Sequence, residues 1–550
     1  MDLNIPGIIS IGVFYLVILL VGILAARFVK YKDKDNINNT TSELTVVAGR
    51  SLHGIVGTFT MIATAVGGGF INGTSESIAK DGLAWTISPF AICIGLILGG
   101  LIYAGRMRDR QYITMLQPIL ENFGRLPAFL VYLATLTGDL FWTASILNAL
   151  GTTISVIIGL DVLTSILVSA GVTVLYTMIG QMISVAYTDL VQLFFIALGL
   201  ILAIPFAMLN DAVGNIGETS SQWLGSIEPM ASIAWVDLAI AMILGTIPWQ
   251  SYFQRVLAVR SVKEAKVLSV LAGFGSLLFA VPPFLIGIIS TSADWRNVSI
   301  TSGINPANTS QSSMILPLVI NEFTPAPVAI IGLGAVCGAV MSSMDSSILG
   351  SSSMFTHHVY KPILRKNAGD TELIWIQRIF IFIIGAGATA ISLYVDTIWG
   401  LFVLAADIVF VIVLPQLTCS LFFSDLNGYG AVMAFIAGVV LRIGAGESTL
   451  GLSPFIYYPL YDYERGEQGF PFRVLAFVAS TVTLVLVSYL FRLIFKCGCL
   501  PTWMDPFNIL EHGSVKYDLS KENPMFHMET FTDSIYRPRP SIEMNNKLKY

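Results

Sequence analysis

The chain has 550 residues, 55% of them hydrophobic and only 12% charged, with a formal net charge of −5 and five cysteines. Soluble domains carry roughly twice that share of charge, so a water-soluble globular fold is excluded. There is no basic patch of the kind a nucleic acid requires, which excludes that class of partner as well.

Thirteen apolar windows of roughly bilayer-crossing length follow in order: 6–27, 51–72, 83–104, 127–157, 160–180, 183–208, 233–254, 267–291, 315–356, 373–395, 398–423, 428–446 and 471–495. The longest must include parts that do not span. The predicted fold is an all-α polytopic membrane protein of about 13 transmembrane helices. The first window has neither a basic n-region nor a small-residue cleavage site, so it reads as a retained span rather than a signal peptide.

Lysine and arginine placement predicts an outer N-terminus. Threaded that way, the inner side receives Arg27 to Arg50, Arg106 to Arg125, Arg255 to Lys266, Lys361 to Arg378, and everything from Arg492 to Lys549. Lys80, Arg296, Arg465 and Arg473 fall outside, and Arg442 lies in a span, the asymmetry of the positive-inside rule. The loop 292–314 is then outside and carries the sequons at Asn297 and Asn308, expected glycan acceptors. Those at Asn38 and Asn39 fall inside. No cysteine lies in an outer loop, so no structural disulfide is expected. Cys497 and Cys499, just after the last span, could carry palmitate or stay as free thiols.

The second span holds "TAVGGGFING", with Gly67, Gly68 and Gly69 in succession. Each glycine costs about 1 kcal/mol against alanine in a helix interior, so a regular helix is interrupted there. Five spans later "ILGTIPWQSYF" places Gly245 and Pro248 in the seventh. Paired interruptions point to a transporter of inverted repeats with its site at the midplane, whereas close helix packing alone would need no second break. The resulting division is 1–50 (outer N-terminus, first span, first inner loop), a transport core of ten spans over 51–423 with halves 51–208 and 233–423, two last spans in 424–495, and a cytoplasmic tail 496–550 expected to be disordered.

Polar groups at depth suggest the ion. "SVAYTDLVQLFF" buries Asp189, and "GAVMSSMDSSILGSSS" carries Ser342, Ser343, Asp345, Ser346 and Ser347. An intramembrane carboxylate costs about 2.5–3.5 kcal/mol on insertion scales and marks an ion path by default. Hydroxyls, carboxylates and freed carbonyls suit sodium. There is no His/Cys arrangement with transition-metal spacing. His357 and His358 read as a solvated pair at an inner helix end, and Asp139, Asp237 and Asp407 as acids that brace helices or line a vestibule.

Over residues 5–495 the chain resembles the sodium/solute symporter family, and within it the high-affinity choline transporter branch, through "GGGFINGT", "YTDLVQLF", "IPWQSYFQRVL", "GAVMSSMDSSIL" and "PFIYYP". The resemblance implies thirteen spans around a ten-span inverted-repeat core. It also implies sodium- and chloride-dependent import of choline across the plasma membrane of presynaptic terminals for acetylcholine synthesis. By motif, a first sodium site would use the carbonyls of Ala63, Val66 and Ala339 with the hydroxyls of Ser342 and Ser343. A second would use Asp189, Asp345 and Ser346. No chloride ligand is assigned and no resident cofactor is expected.

Choline offers no N–H, so aromatic faces must enclose its ammonium, at about 0.5–2 kcal/mol each. The expected cage residues are Trp142 and Trp249, both tryptophan in the family. Two other cage positions differ: Ala65 stands for a tryptophan and Ile92 for a tyrosine. Either Phe70, Trp85 or Phe90 compensates, or the chain carries another small organic solute. A cation channel lacks a visible filter loop, and an enzyme lacks any catalytic constellation. "NPMF" at Asn523–Phe526 resembles an endocytic adaptor signal.

Overall fold

A computed structural model of the chain describes residues 4–32, 46–179, 182–501, 505–507 and 509. The principal helices of the first half are α1 (Ile5–Lys32), α2 (Gly54–Ala65), α3 (Gly68–Asp81), α4 (Ser88–Leu98), α5 (Arg125–Ile158), α6 (Val162–Ile179) and α7 (Met182–Met208). Those of the second are α8 (Ser232–Gly245), α9 (Gln250–Ala258), α10 (Val262–Phe279, continued by Val281–Ser292), α11 (Ile315–Phe323), α12 (Ala326–Met354), α13 (Asp370–Tyr394) and α14 (Ile398–Ile408). Two more, α15 (Gly428–Gly444) and α16 (Phe472–Lys496), end the bundle. Wider helical turns extend α4 to Asp109, α12 to Leu364 and α14 to Phe422.

Among the described residues ten helices are long and apolar enough to cross a bilayer, and the bent pair α2–α3 makes an eleventh. The protein is therefore a multi-pass membrane protein. Shorter apolar helices α6 and α15 occupy the windows 160–180 and 428–446. The over-long window 315–356 divides in two. Thr324, placed before Pro325, is extended with φ −125° and ψ 157°, the conformation a following proline enforces. α11 thus stops there and α12 starts afresh.

Large apolar side chains point outward from the peripheral helices: Leu16 and Leu20 on α1, Phe274 and Leu278 on α10, Phe382 and Ile383 on α13, Leu486 and Leu490 on α16. Lipid rewards that exposure as water would not. The interior instead combines Phe70, Tyr252, Phe253 and Phe402 with buried hydroxyls and carboxylates. Small residues set the close approaches. A Cβ on Gly199 of α7 would lie 2.5 Å from Ala335 Cβ of α12, and one on Gly245 would lie 2.2 Å from the Ala406 carbonyl of α14. The start of α2 is tied to the end of α9, where Leu52 N–H donates to Ala258 O at 3.1 Å.

Arg255, placed by the charge pattern on the inner side, is fully buried on α9 and faces Asp189 of α7. Two expectations are corrected. His358, expected in a solvated pair, is buried, with both ring nitrogens lacking a partner among the described residues. The tail, expected to be disordered throughout, packs at its start: Phe507 meets Tyr429 of α15 edge-on at 4.8 Å. The "NPMF" motif lies outside the described residues.

Candidate functional site

The glycine run breaks the second span where expected. α2 ends with Val66 at φ −88°, ψ 59°. Gly67 is extended before α3 resumes, and the two helices are bent by 47°. A Cβ at Gly67 would lie 1.9 Å from Ser343 Oγ and 3.8 Å from the Ala339 carbonyl; at Gly68 it would lie 2.7 Å from Ala149 Cβ; at Gly69, 2.8 Å from Ser145 Oγ. The glycines therefore serve two purposes at once, breaking the helix and admitting α5 and α12 close to it. The second interruption separates α8 from α9 between Gly245 and Gln250, with Pro248 inside it and Trp249 extended at φ −112°, ψ 121°.

At the first break Ser343 donates to Thr64 O at 2.8 Å and lies 3.5 Å from Ala63 O. Ala63, Ala339 and Ser343 thus come together beside Gly67, and Val66 at the break is buried. Ser342, expected in the same set, turns to the neighbouring one and donates to Asp189 Oδ1 at 2.6 Å.

That neighbouring cluster is built on two carboxylates. Asp189 Oδ2 accepts from Thr60 Oγ1 and from the Arg255 guanidinium at 3.3 Å. Arg255 also donates to Ser346 Oγ at 2.5 Å, and Ser346 shares a 3.1 Å contact with Thr64 Oγ1. Asp345 accepts from Thr177 on one oxygen, while its other oxygen, Oδ2, is buried without a partner among the described residues. A buried unpaired carboxylate oxygen is costly, and a small hard cation would satisfy it. The residues present therefore fit sodium, with Arg255 as a resident competitor for Asp189.

Between the two breaks lies an aromatic cluster. Trp142 of α5 meets Trp249 at 5.1 Å with 60° between the rings, and Phe402 of α14 at 4.8 Å. Trp399 stacks on Phe402 at 6.0 Å. Two suggested compensators lie elsewhere. Phe90 is 45% exposed and stacks on Phe284, and Trp85 donates its indole N–H to Ser226 O in the connection before α8. Phe70 is fully buried on α3.

Sequence reasoning missed Arg255, Phe402 and Glu76. Glu76 lay just past the apolar window that ended at 72, yet it is 1% exposed. It accepts from Ser312 at 3.1 Å, from Thr397 at 3.2 Å, and from the Ile398 and Trp399 N–H groups at 3.2 Å each, so it caps the N-terminus of α14 from α3. An acid seven residues beyond the last glycine of the break, amid small polar residues, was the available signal. The three acids read as braces divide. Asp237 and Asp407 form a buried network with Arg473 and Arg442, whereas Asp139 accepts from Ser351.

Comparison with known proteins places this arrangement. The model of the sodium:solute symporter family matches residues 46–438. The chain is 42% identical to the human "High affinity choline transporter 1", over 99% of this chain and 96% of that protein. It is 44% identical to the Drosophila melanogaster protein of the same description, over 92% and 81%. In structure it is similar to a Na+-coupled sialic acid symporter in a substrate-bound outward-open state, with a TM-score of 0.68 at 17% identity, covering 88% of this chain and 98% of the other. That likeness concerns the fold.

Proposed function

We propose, on the premise that this chain belongs to the sodium:solute symporter family, that it is a sodium-coupled importer of choline. It is a transporter and not an enzyme, and sodium is a coupling ion carried with the solute. The observation that carries the choline reading is the cluster of Trp142, Trp249 and Phe402 at the two helix breaks. A quaternary ammonium needs faces rather than acceptors. Phe402 supplies one from a helix that neither Ala65 nor Ile92 belongs to. A different small solute is the second reading, favoured by those two substitutions.

In this proposal the first sodium is held by Ala63, Val66, Ala339 and Ser343, and the second by Asp189, Asp345 and Ser346, with Ser342 shared between them. The spans number thirteen, and 51–208 and 233–423 are inverted repeats that meet at the two breaks. The N-terminus is outside, at the plasma membrane. Asn297 and Asn308, both exposed, are glycosylated. Chloride supports transport, and the tail engages endocytic adaptors.

The decisive experiment measures radiolabelled choline uptake in cells expressing the chain, with sodium present or replaced, and with chloride or gluconate. Saturable uptake that vanishes without sodium is expected. Uptake of another amine but not of choline would move the chain to the second reading, and sodium-independent current would point to a channel. Loss of the glycosidase-sensitive size shift in Asn297→Gln/Asn308→Gln tests the orientation.

A further inference from the structure

Trp142 is only 9% exposed, and its Nε1–H has no acceptor among the described residues. Four other tryptophans differ. Trp223, Trp235 and Trp295 each give their N–H to a backbone carbonyl, at 2.9, 2.8 and 3.0 Å, and Trp85 does so at 3.2 Å. A buried donor left unmade is costly, so each exception calls for an explanation. Here the donor sits in the aromatic cluster, and an indole N–H can only donate. Whatever satisfies it must bring an acceptor.

We propose that the Trp142 N–H donates to the hydroxyl oxygen of choline and so sets the preference for a hydroxylated quaternary ammonium. This rests on the choline reading above. Choline has one neutral acceptor, its hydroxyl oxygen, two carbons from a nitrogen that needs only ring faces. The 60° between Trp142 and Trp249 lets the edge of one ring and the face of the other border a single volume. Trp249 and Phe402 then hold the ammonium while the edge of Trp142 reads the alcohol arm. A plain cage would accept ethyltrimethylammonium, the same cation without oxygen, about as well.

The test compares choline with ethyltrimethylammonium as competitors for radiolabelled choline uptake in wild type and Trp142→Phe. Phenylalanine keeps an aromatic face and loses the N–H. The affinity ratio of choline to ethyltrimethylammonium is expected to fall about 3- to 10-fold in the variant, the worth of one neutral hydrogen bond. Equal losses for both ligands, leaving the ratio unchanged, would overturn the assignment. Should Trp142→Phe fail to reach the surface, 3-benzothienylalanine introduced at position 142 keeps the indole shape without the donor and must give the same fall. An unchanged ratio with altered chloride dependence would also overturn it, assigning the N–H to the anion. A wild type that moves no choline overturns the function reading itself, a result distinct from intact uptake with an unchanged ratio.

Discussion

Ser343 and Gly67 meet so closely that neither can be changed alone without consequence for the other. Gly67→Ala would drive a Cβ to within 1.9 Å of Ser343 Oγ, so uptake is expected to be lost. Adding Ser343→Gly removes the obstructing side chain and should restore surface expression but not normal sodium affinity. Cell-surface labelling together with sodium titration of uptake checks both. Asp189, expected as a sodium ligand with Asp345 and Ser346, is also the partner of the buried Arg255. Asp189→Asn leaves Arg255 buried without its counter-charge, a loss of about 3–5 kcal/mol when one partner of a buried pair is removed. The single variant, and Arg255→Gln likewise, should unfold at lower temperature in detergent. The double variant should regain much of that stability while failing to couple to sodium. Additive losses in this cycle would show that the pair contributes no interaction energy. In the cage, Trp249→Ala should weaken choline about 5- to 30-fold, or 1–2 kcal/mol, as read by uptake competition.

At the scale of elements, the two broken spans do the positioning. α3 reaches α14 through Glu76, whose carboxylate replaces the partners that the first N–H groups of a helix lack. Because the Ile398 N–H is buried and the Trp399 N–H partly so, Glu76→Ala should destabilise the protein by about 1–3 kcal/mol, measured as a lowered thermal midpoint. Glu76→Gln keeps one acceptor oxygen and should recover part of it. An unchanged midpoint in both would reduce the contact to a neutral one. α14 is also anchored at its far side: Asp407 bridges Arg442 of α15 at 2.7 Å and Arg473 of α16 at 2.8 Å, and Arg473 continues to Asp237 of α8 at 3.3 Å. The helices bearing Trp249's break and Phe402 are thereby coupled to the last two helices of the bundle.

For the whole molecule, sodium binding and folding are linked. A ligand that binds only the folded state stabilises it by RT ln(1 + [L]/Kd), about 2.7 kcal/mol at a hundred times Kd. Purified protein should therefore show a thermal midpoint that rises with sodium at constant ionic strength, with potassium as the control. Ser343→Ala, which removes one oxygen and leaves the cavity shape almost unchanged, should shift that curve to higher sodium. A midpoint indifferent to sodium in wild type would remove both sodium sites together.

Features that depend on a residue and its near neighbours were legible in the chain before any fold. Apolar length marked the spans, since the bilayer acts as a uniform solvent along each helix. Glycine and proline marked both breaks, since their backbone preferences are local. Asp189, Asp345 and the serines stood out because polar groups at membrane depth are expensive wherever they sit. Tertiary structure alone decided who meets whom. Arg255 pairs with Asp189, 66 residues away, Ser342 turns from one cluster to the next, Phe402 supplies a face where Ala65 and Ile92 do not, and Glu76 caps a helix 322 residues on. Those pairings follow from which helices pack and how each is rotated. Hydropathy carries little of either, because helices that are apolar along their length can turn many faces to lipid at nearly equal cost.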